Sequence, residues 1–309
     1  MQVRNVGIAG PRSTLGPSII KHLLATGSPP TITLLSRSST ETSLSFPTLN
    51  TLQANYDSVD ELVQLLTSPD DGKPLFDVVI SLLKPSALQP QKNLIDAVAQ
   101  ARIPHFIPSS FTVDLRLPYY RTFPPLAPKR EVEDYLLEKA SRGLPAYTII
   151  QTGIFLDLCL SRNIIMNFNN SLPIAIFDGG DVKFSATMLD DVGGAVANSL
   201  LKTSEMRNRY CCIQTAAVSQ NQLLRIAREL FPDKTWETIG VDTAAEEREA
   251  EDKRKRGEEV VMRPGTFVLR GSFREGNGLF KDVDNEFLGM KGWEEEELRQ
   301  LIRSVIVDA

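Results

Sequence analysis

Histidine is the scarcest of the side chains that commonly perform chemistry, since the 309-residue chain has only His22 and His105. So few imidazoles leave little room for a His-rich metal site or a Ser-His-Asp triad, and we predict no metal. Cysteine is almost as rare, and Cys159, Cys211 and Cys212 cannot all pair with one another. None of them has the C-x-x-C spacing of a zinc ribbon or a thioredoxin-type site, so we expect reduced thiols.

The chain also lacks an excess of positive charge. It has 34 Lys and Arg against 39 Asp and Glu, a net charge of −5, and no long basic block that would favour nucleic-acid binding. The first residues show no signal-peptide pattern. The most apolar later stretch, 144–160, contains Pro145, Gln151 and Asp157 and is too short to span a membrane. We therefore expect a cytoplasmic monomer or homodimer with no nucleic-acid or membrane partner.

Regular alternation of short apolar runs with amphipathic stretches marks the first half of the chain. This pattern predicts a Rossmann-type α/β fold, a doubly wound parallel sheet with helices on both faces. Ser58, three residues before Glu61, indicates a capping box at one helix start. The predicted strands are Val3–Ala9, Thr31–Leu35, Leu52–Ala54, Asp77–Leu82, His105–Ile107 and Ala146–Gln151. The other predicted helices are Pro17–Ala25, Gln91–Ala101 and Lys129–Lys139.

The alternation loosens after Gly153. We expect a Rossmann domain of residues 1–155, with parts of 180–215 returning to it, and a smaller C-terminal α/β domain of residues 156–309. The charged run 244–259 fits a solvated helix with ion pairs better than an interaction patch. The remaining predicted helices are Leu156–Asn163, Asp190–Leu201, Ser219–Leu230 and Trp293–Val307, and the remaining strands are Ile174–Phe177 and Arg209–Ile213.

A glycine turn joins the first strand to the first helix and reads G-x-x-S-x-x-G from Gly10 to Gly16. The dinucleotide fingerprint G-x-G-x-x-G is one residue shorter between its first two anchors. Gly10 is expected to make the tight turn and Gly16 to permit close contact between helix and strand. Ser13 replaces the central glycine, and its hydroxyl can donate to a phosphate oxygen. The turn residues expected to hold a pyrophosphate are Gly10, Arg12, Ser13, Thr14, Leu15 and Gly16.

The end of the second strand predicts which dinucleotide binds. NAD-specific folds place a carboxylate there for the ribose 2′-hydroxyl, whereas this chain continues as Arg37, Ser38 and Ser39, with no carboxylate before Glu41. The Arg37 guanidinium suits a 2′-phosphate, Ser38 adds a hydroxyl, and Arg12 can approach from the turn. The sequence therefore favours NADP(H). We expect residues 1–155 to be the NADP-binding domain and residues 156–309 to be the substrate-binding domain.

Three stretches resemble the NmrA-like and isoflavone-reductase-like family of atypical short-chain dehydrogenases. The glycine turn is similar to the family's G-x-x-G-x-x-G. The stretch that begins Phe106 to Phe111 resembles the family's F-I-P-S-E-F-G, from which Ser110, in the place of the acid, and Thr112 depart. Lys129 with Val132 resembles the family's K-x-x-[VI]. The likeness covers about residues 3 to 200 and is greatest to fungal members, many of which modify secondary metabolites.

The resemblance implies a reductase in which Lys129 lies near the nicotinamide. A lysine with a lowered pKa, or one held against the cofactor ribose, can donate a proton or stabilise charge while a C=C, C=N or benzylic carbon accepts hydride. Whether ring closure follows reduction stays open. The further contacts that the fold implies are Asn55 to the adenine, Ser81, Leu82 and Leu83 to the adenosine, and Ser109, Ser110, Phe111, Gly153 and Phe155 near the nicotinamide. The expected apolar substrate cavity draws on Phe111, Tyr119, Tyr120, Phe123 and Phe155.

Two alternatives accompany this hypothesis. Tyr135 and Lys139 satisfy the Y-x-x-x-K of ordinary short-chain dehydrogenases. However, Tyr135 is six residues beyond Lys129, about 600° around a helix, so both cannot face one nicotinamide, and Lys129 is favoured. The second alternative is a redox-sensing regulator that binds NADP without turnover; Ser13 and Ser110 keep it open. The favoured function is an NADPH-dependent reductase of a small, largely apolar or aromatic secondary metabolite.

Overall fold

A computed structural model describes residues 2–38, 49–143, 145–169, 172–258, 271–273 and 277–307. It contains a parallel sheet of seven strands in the order β10-β6-β5-β4-β1-β2-β3. The strands are β1 (Asn5–Ala9), β2 (Thr31–Ser36), β3 (Asn50–Gln53), β4 (Val78–Ser81), β5 (His105–Ile107), β6 (Ala146–Gln151) and β10 (Arg209–Cys212). The doubly wound Rossmann-type sheet is thereby confirmed, since β2 and β3 lie on one side of β1 and β4, β5 and β6 lie on the other.

The strand residues alternate between two hydrophobic layers. Ile8 and Ile80 point into a layer covered by α1 (Gly16–Leu24) and α7 (Leu189–Leu201). Val79 and Leu35 point into the opposite layer. That layer is covered by α2 (Val59–Leu66), α3 (Leu88–Gln100) and α5 (Ala127–Ser141). Burial on both faces explains why these strands are continuous apolar runs.

A second hydrophobic core holds most elements after residue 153. A three-stranded sheet in the order β11-β9-β7 and a pair β12-β8 contribute to it. Their strands are β7 (Ile154–Phe155), β8 (Ile174–Phe177), β9 (Phe184–Thr187), β11 (Ala216–Val218) and β12 (Thr238–Val241). The helices beside them are α6 (Leu156–Ser161), α8 (Gln220–Leu230) and α10 (Glu295–Val307).

Two helices bear on the sequence-based interpretation of charged and aromatic stretches. The charged run forms α9 (Thr243–Lys255), whose Glu249–Lys253 and Glu251–Lys255 pairs make it the solvated helix expected; Glu259 lies outside the described residues. A short helix, α4 (Pro118–Thr122), was not predicted. Among the described residues no helix is both long enough and apolar enough to cross a membrane.

Several predictions of element positions need correction. Four strands, β7, β9, β11 and β12, were missed because each has four residues or fewer and too few positions to show a period. Helix α3 begins at Leu88 rather than Gln91, since Pro90 is tolerated in a first turn. Helix α5 begins at Ala127, so Lys129 is its third residue. The capping box is half formed: the Ser58 hydroxyl accepts a hydrogen bond from the Glu61 N–H, but the Glu61 carboxylate binds Asn55.

Candidate active site

A cleft of about 1090 Å³ opens at the carboxyl ends of β1 to β4. Parallel strands bring these ends to one edge of the sheet, where open α/β sheets bind ligands. Of the predicted contacts, the cleft is lined by Gly10, Arg12, Ser13, Arg37, Asn55, Leu82 and Leu83. Its volume exceeds that of most pockets for drug-sized ligands.

The glycine turn has the conformation that its glycines permit. Gly10 has a φ of 73°, and a Cβ atom there would lie 3.0 Å from the backbone of Leu82. A Cβ atom at Gly16 would lie 1.8 Å from the Pro11 carbonyl oxygen. The close approach at Gly16 is therefore to the turn itself, which corrects the expected contact with a strand.

Ser13 closes the turn from within. Its N–H donates to the Gly10 carbonyl at 3.1 Å, and its hydroxyl oxygen accepts from the Gly16 N–H at 3.2 Å. The hydroxyl hydrogen is not used by that bond and can point to a ligand. Leu15 is 7 % exposed and packs in the hydrophobic core. Arg12 and Ser13, in contrast, line the cleft.

Two arginines face the cleft from different elements. Arg12 lies in the turn after β1, and Arg37 is exposed directly after β2. Ser38 is half-buried beside Arg37, and Ser39 lies outside the described residues. Two guanidinium groups make this part of the cleft suited to a phosphate.

The segments after β3 and β4 add lining residues that were not predicted from the sequence. Lys84 follows β4 and lines the cleft, as does Tyr56, whose hydroxyl donates to the Leu35 carbonyl at 2.7 Å. Asn55 donates to the Glu61 carboxylate at 2.9 Å and accepts from the Asp57 N–H at 3.1 Å. Lys84 could have been found from the sequence, because it follows the strongest predicted strand at its carboxyl end.

The predicted nicotinamide-side residues lie around the segment after β5. Lys129, near the start of α5, donates to the main-chain carbonyls of Ser109 at 3.2 Å and Phe111 at 3.4 Å. The side chain of Phe111 packs in the same hydrophobic layer as Leu82. Phe155 packs against that layer, and the Gly153 N–H donates to the Thr112 carbonyl at 3.2 Å. Ser81 is buried, so its hydroxyl lies beneath the cleft edge.

Burial changes the ionisation of Lys129. Desolvation lowers the pKa of its ammonium to about 8, against the opposing charge of Glu133. Glu133 is only 1 % exposed, and burial raises its carboxyl pKa to about 7. The hydroxyl of Ser110 donates to this carboxylate, and the Tyr210 hydroxyl, on β10, does so at 3.4 Å. Sequence reasoning missed Glu133, because nothing in a helix of mixed charge marks one acid as buried.

Tyr135 and Lys139 face away from this region. The Tyr135 hydroxyl donates to Asp96 on α3 at 2.7 Å, and the Lys139 ammonium pairs with the same carboxylate. The Lys139 ammonium also lies 4.9 Å from the centre of the Tyr135 ring. Tyr135 and Lys139 therefore connect α5 to α3. This agrees with the helical angle of about 600° that separates Tyr135 from Lys129.

The aromatic residues at 119–123, which the sequence predicts to line the substrate cavity, pack against one another. Tyr120 and Phe123 belong to a small buried cluster, and Tyr119 stacks on Phe123 with 5.5 Å between ring centres. His105 is buried, its Nε2 lies 2.8 Å from the Thr148 hydroxyl, and burial lowers its pKa to about 4. The three cysteines are free. Within the described ranges no group of three or more His, Cys, Asp or Glu is placed to hold a metal ion.

Comparison with known proteins gives one family. The model of the NmrA-like family matches residues 6–235. The oxidoreductase aprR of Aspergillus flavus is 34 % identical over 229 residues, 74 % of each chain. The solved structure of AtPrR2 with NADP+ and (+)-pinoresinol has a TM-score of 0.75 at 17 % identity, covering 100 % of this chain and 99 % of its own. The ternary complex of leucoanthocyanidin reductase from Vitis vinifera has a TM-score of 0.70 at 16 % identity, covering 98 % and 99 %. With the fold, the glycine turn and a family model matched over most of its length, this chain belongs to the NmrA-like family.

Proposed function

We propose that the protein is an NADPH-dependent reductase of a small, largely apolar or aromatic secondary metabolite. The observation that carries the proposal is Lys129, half-buried and hydrogen-bonded to the segment after β5, at the same sheet edge as the cleft with Arg12 and Arg37. The named oxidoreductase relative and the NADP-bound structural neighbours support it.

The residues present fit NADP(H). The turn from Gly10 to Gly16 has no room for side chains at its two glycines, so backbone N–H groups can approach a pyrophosphate. Arg12 and Arg37 supply the positive charge that a 2′-phosphate requires. Leu82 and Leu83 give the cleft an apolar wall. When bound, the cofactor supplies a hydride.

Lys129 supplies the proton side of the reaction. Two of its three N–H donors are used by the Ser109 and Phe111 carbonyls, which orient the ammonium. The third can donate to the atom of the acceptor that becomes negative as hydride arrives. With a pKa of about 8, Lys129 is charged at neutral pH, so turnover should fall as pH rises above about 8.

Replacing Lys129 with Met tests the proposal, because it keeps the length of the side chain and removes the ammonium. We expect turnover of enone, imine or benzylic ether acceptors to be abolished, while NADPH affinity changes little. Unchanged turnover would remove Lys129 from the mechanism. Tight NADP binding with no turnover of any acceptor by the wild-type protein would favour the redox-sensing regulator, and product analysis would detect ring closure.

We also propose that residues 156–309 form a substrate-binding domain and that the chain works in the cytoplasm as a monomer or homodimer. The separate hydrophobic core after residue 153 supports the first of these. The parallel pairing of β10 with β6 supports the proposal that part of residues 180–215 returns to the NADP-binding domain.

A further inference from the structure

Glu133 is a buried carboxylate with no role in the reaction described above. It lies four residues after Lys129, and residues at this spacing are neighbours on one helix face. A buried carboxylate is costly unless it is paired with charge or hydrogen-bond donors. A helix packed on a sheet could bury an apolar residue at this position instead, so the retained charge calls for a physical explanation.

Lys129 and Glu133 contact the same short segment. The Lys129 ammonium donates to the carbonyls of Ser109 and Phe111, and the Glu133 carboxylate accepts from the hydroxyl of Ser110, the residue between them. Residues 109–111 therefore contact both the Lys129 ammonium and the Glu133 carboxylate. Their separation is set by α5 and by this segment, not by flexible surface chains.

We propose that Glu133 is the positioning residue that keeps Lys129 in its ammonium form, so that Lys129 acts in the reaction as an acid rather than as a base. The catalytic part of this inference rests on the proposed function. The electrostatic interaction between Glu133 and Lys129 does not. Burial by itself favours neutral lysine, and a nearby negative charge opposes that effect. Without Glu133, a lysine held by two carbonyls would lose its proton at a lower pH.

Other charged and titratable groups face Glu133 without replacing this function. From the segment after β5, Asp114 raises the pKa of Glu133, and from β10 the Tyr210 hydroxyl lowers it. From β6, Tyr147 has its pKa raised by burial and, to a smaller extent, by the charge of Glu133. From α4, Arg121 is paired bidentately with Asp134 at 2.9 Å, and this pairing raises the pKa of its guanidinium more than Glu133 does. Lys129 and Glu133 are both charged between about pH 7 and pH 8.

Trace acetylation of the full-length protein measures the pKa of Lys129 without cofactor or substrate. The rate at which acetic anhydride labels Lys129 is followed against pH by mass spectrometry, with the other lysines as internal references. We expect a pKa of about 8 in the wild type and a value about one pH unit lower in Glu133→Gln, because the isosteric amide keeps the hydrogen-bonding shape and removes the charge. Glu133→Asp, which keeps the charge, should restore most of the wild-type value.

Glu138→Gln is the matched control. It removes a carboxylate from the same helix, where Glu138 pairs with Arg142 at 2.7 Å on the exposed side, and should leave the labelling of Lys129 unchanged. If Glu133→Gln does not fold, Tyr210→Phe provides the second test. It removes a donor to the Glu133 carboxylate, so less of that carboxylate is charged near pH 7, and the pKa of Lys129 should fall by a smaller amount.

The outcomes separate this inference from the proposed function. An unchanged pKa of Lys129 in Glu133→Gln, or in Tyr210→Phe if the first variant does not fold, overturns the positioning function. The expected labelling in a protein that never oxidises NADPH would uphold the pair and overturn the reductase. If the protein is a reductase, the upper limb of its pH–rate profile should move in Glu133→Gln by the amount that labelling measures.

Discussion

One added methyl group at Gly16 tests whether the glycine turn holds the cofactor. An ideal Cβ atom at this position would lie 1.8 Å from the Pro11 carbonyl oxygen and 2.7 Å from its carbonyl carbon. Both neighbours are backbone, so no side chain can rotate away. The turn and the start of α1 must therefore separate by more than about 1 Å to reach ordinary contact.

Two effects follow from that separation. Overpacking of this kind costs about 1–3 kcal/mol in the free energy of unfolding. If the turn holds the pyrophosphate as proposed, its displacement would also remove at least one backbone N–H bond to a charged phosphate, worth about 1.5–3 kcal/mol. A loss of that size weakens NADPH binding by roughly ten- to a hundredfold.

Gly16→Ala and Gly27→Ala form a matched pair for the measurement. Gly27, in the turn after α1, has no atom within 4 Å of its ideal Cβ, and its φ lies outside the left-handed region. NADPH fluorescence titration and urea unfolding should show Gly27→Ala binding like the wild type, with equal stability or a gain of up to about 1 kcal/mol. Wild-type NADPH affinity in Gly16→Ala would refute the assignment of the turn to the cofactor.

Two further substitutions test the specificity assigned to Arg37 and the alternative in which Tyr135 is catalytic. Arg37→Gln should weaken NADPH binding by about tenfold or more while changing NADH binding little, because only NADPH carries the 2′-phosphate. Arg4→Gln, at the opposite edge of the sheet, is the control, and an equal loss for both nucleotides would contradict the specificity assigned to Arg37. Tyr135→Phe should leave turnover unchanged and cost about 1 kcal/mol in the free energy of unfolding, since its hydroxyl binds Asp96. Loss of turnover in a folded Tyr135→Phe protein would bring that tyrosine back into the mechanism.

The central sheet was predictable because strands buried on both faces must be apolar throughout. Val78 to Ser81, for example, is entirely buried between two layers of helices, and its sequence shows this without any tertiary information. The edge where the cleft lies follows from the same reasoning, since parallel strands with helical crossovers end together. Gly10 and Arg37, which the sequence predicts to bind the cofactor, both line this cleft.

Four of the short strands after residue 153, namely β7, β9, β11 and β12, could not be predicted in the same way. Phe184 to Thr187 is fully buried, yet it contains a serine and a threonine and only four residues. The Ser185 hydroxyl donates to Gln214 at 2.6 Å, and the Thr187 hydroxyl donates to the Thr152 carbonyl at 2.6 Å. Partners from elsewhere in the chain make burial of these hydroxyls possible, and no local pattern reports them.

The amino-acid sequence by itself determined the central sheet and the edge at which the cleft lies, because periodicity and spacing are local properties. The catalytic role of Lys129 is what the family resemblance implies, and it stays a proposal. Only the tertiary structure decided that Glu133, one of several acids on α5, is buried beside Ser110, whereas Glu138 remains at the surface. The ionisation of Lys129 depends on that difference, since desolvation and the charge of Glu133 arise from elements that meet only in the folded chain.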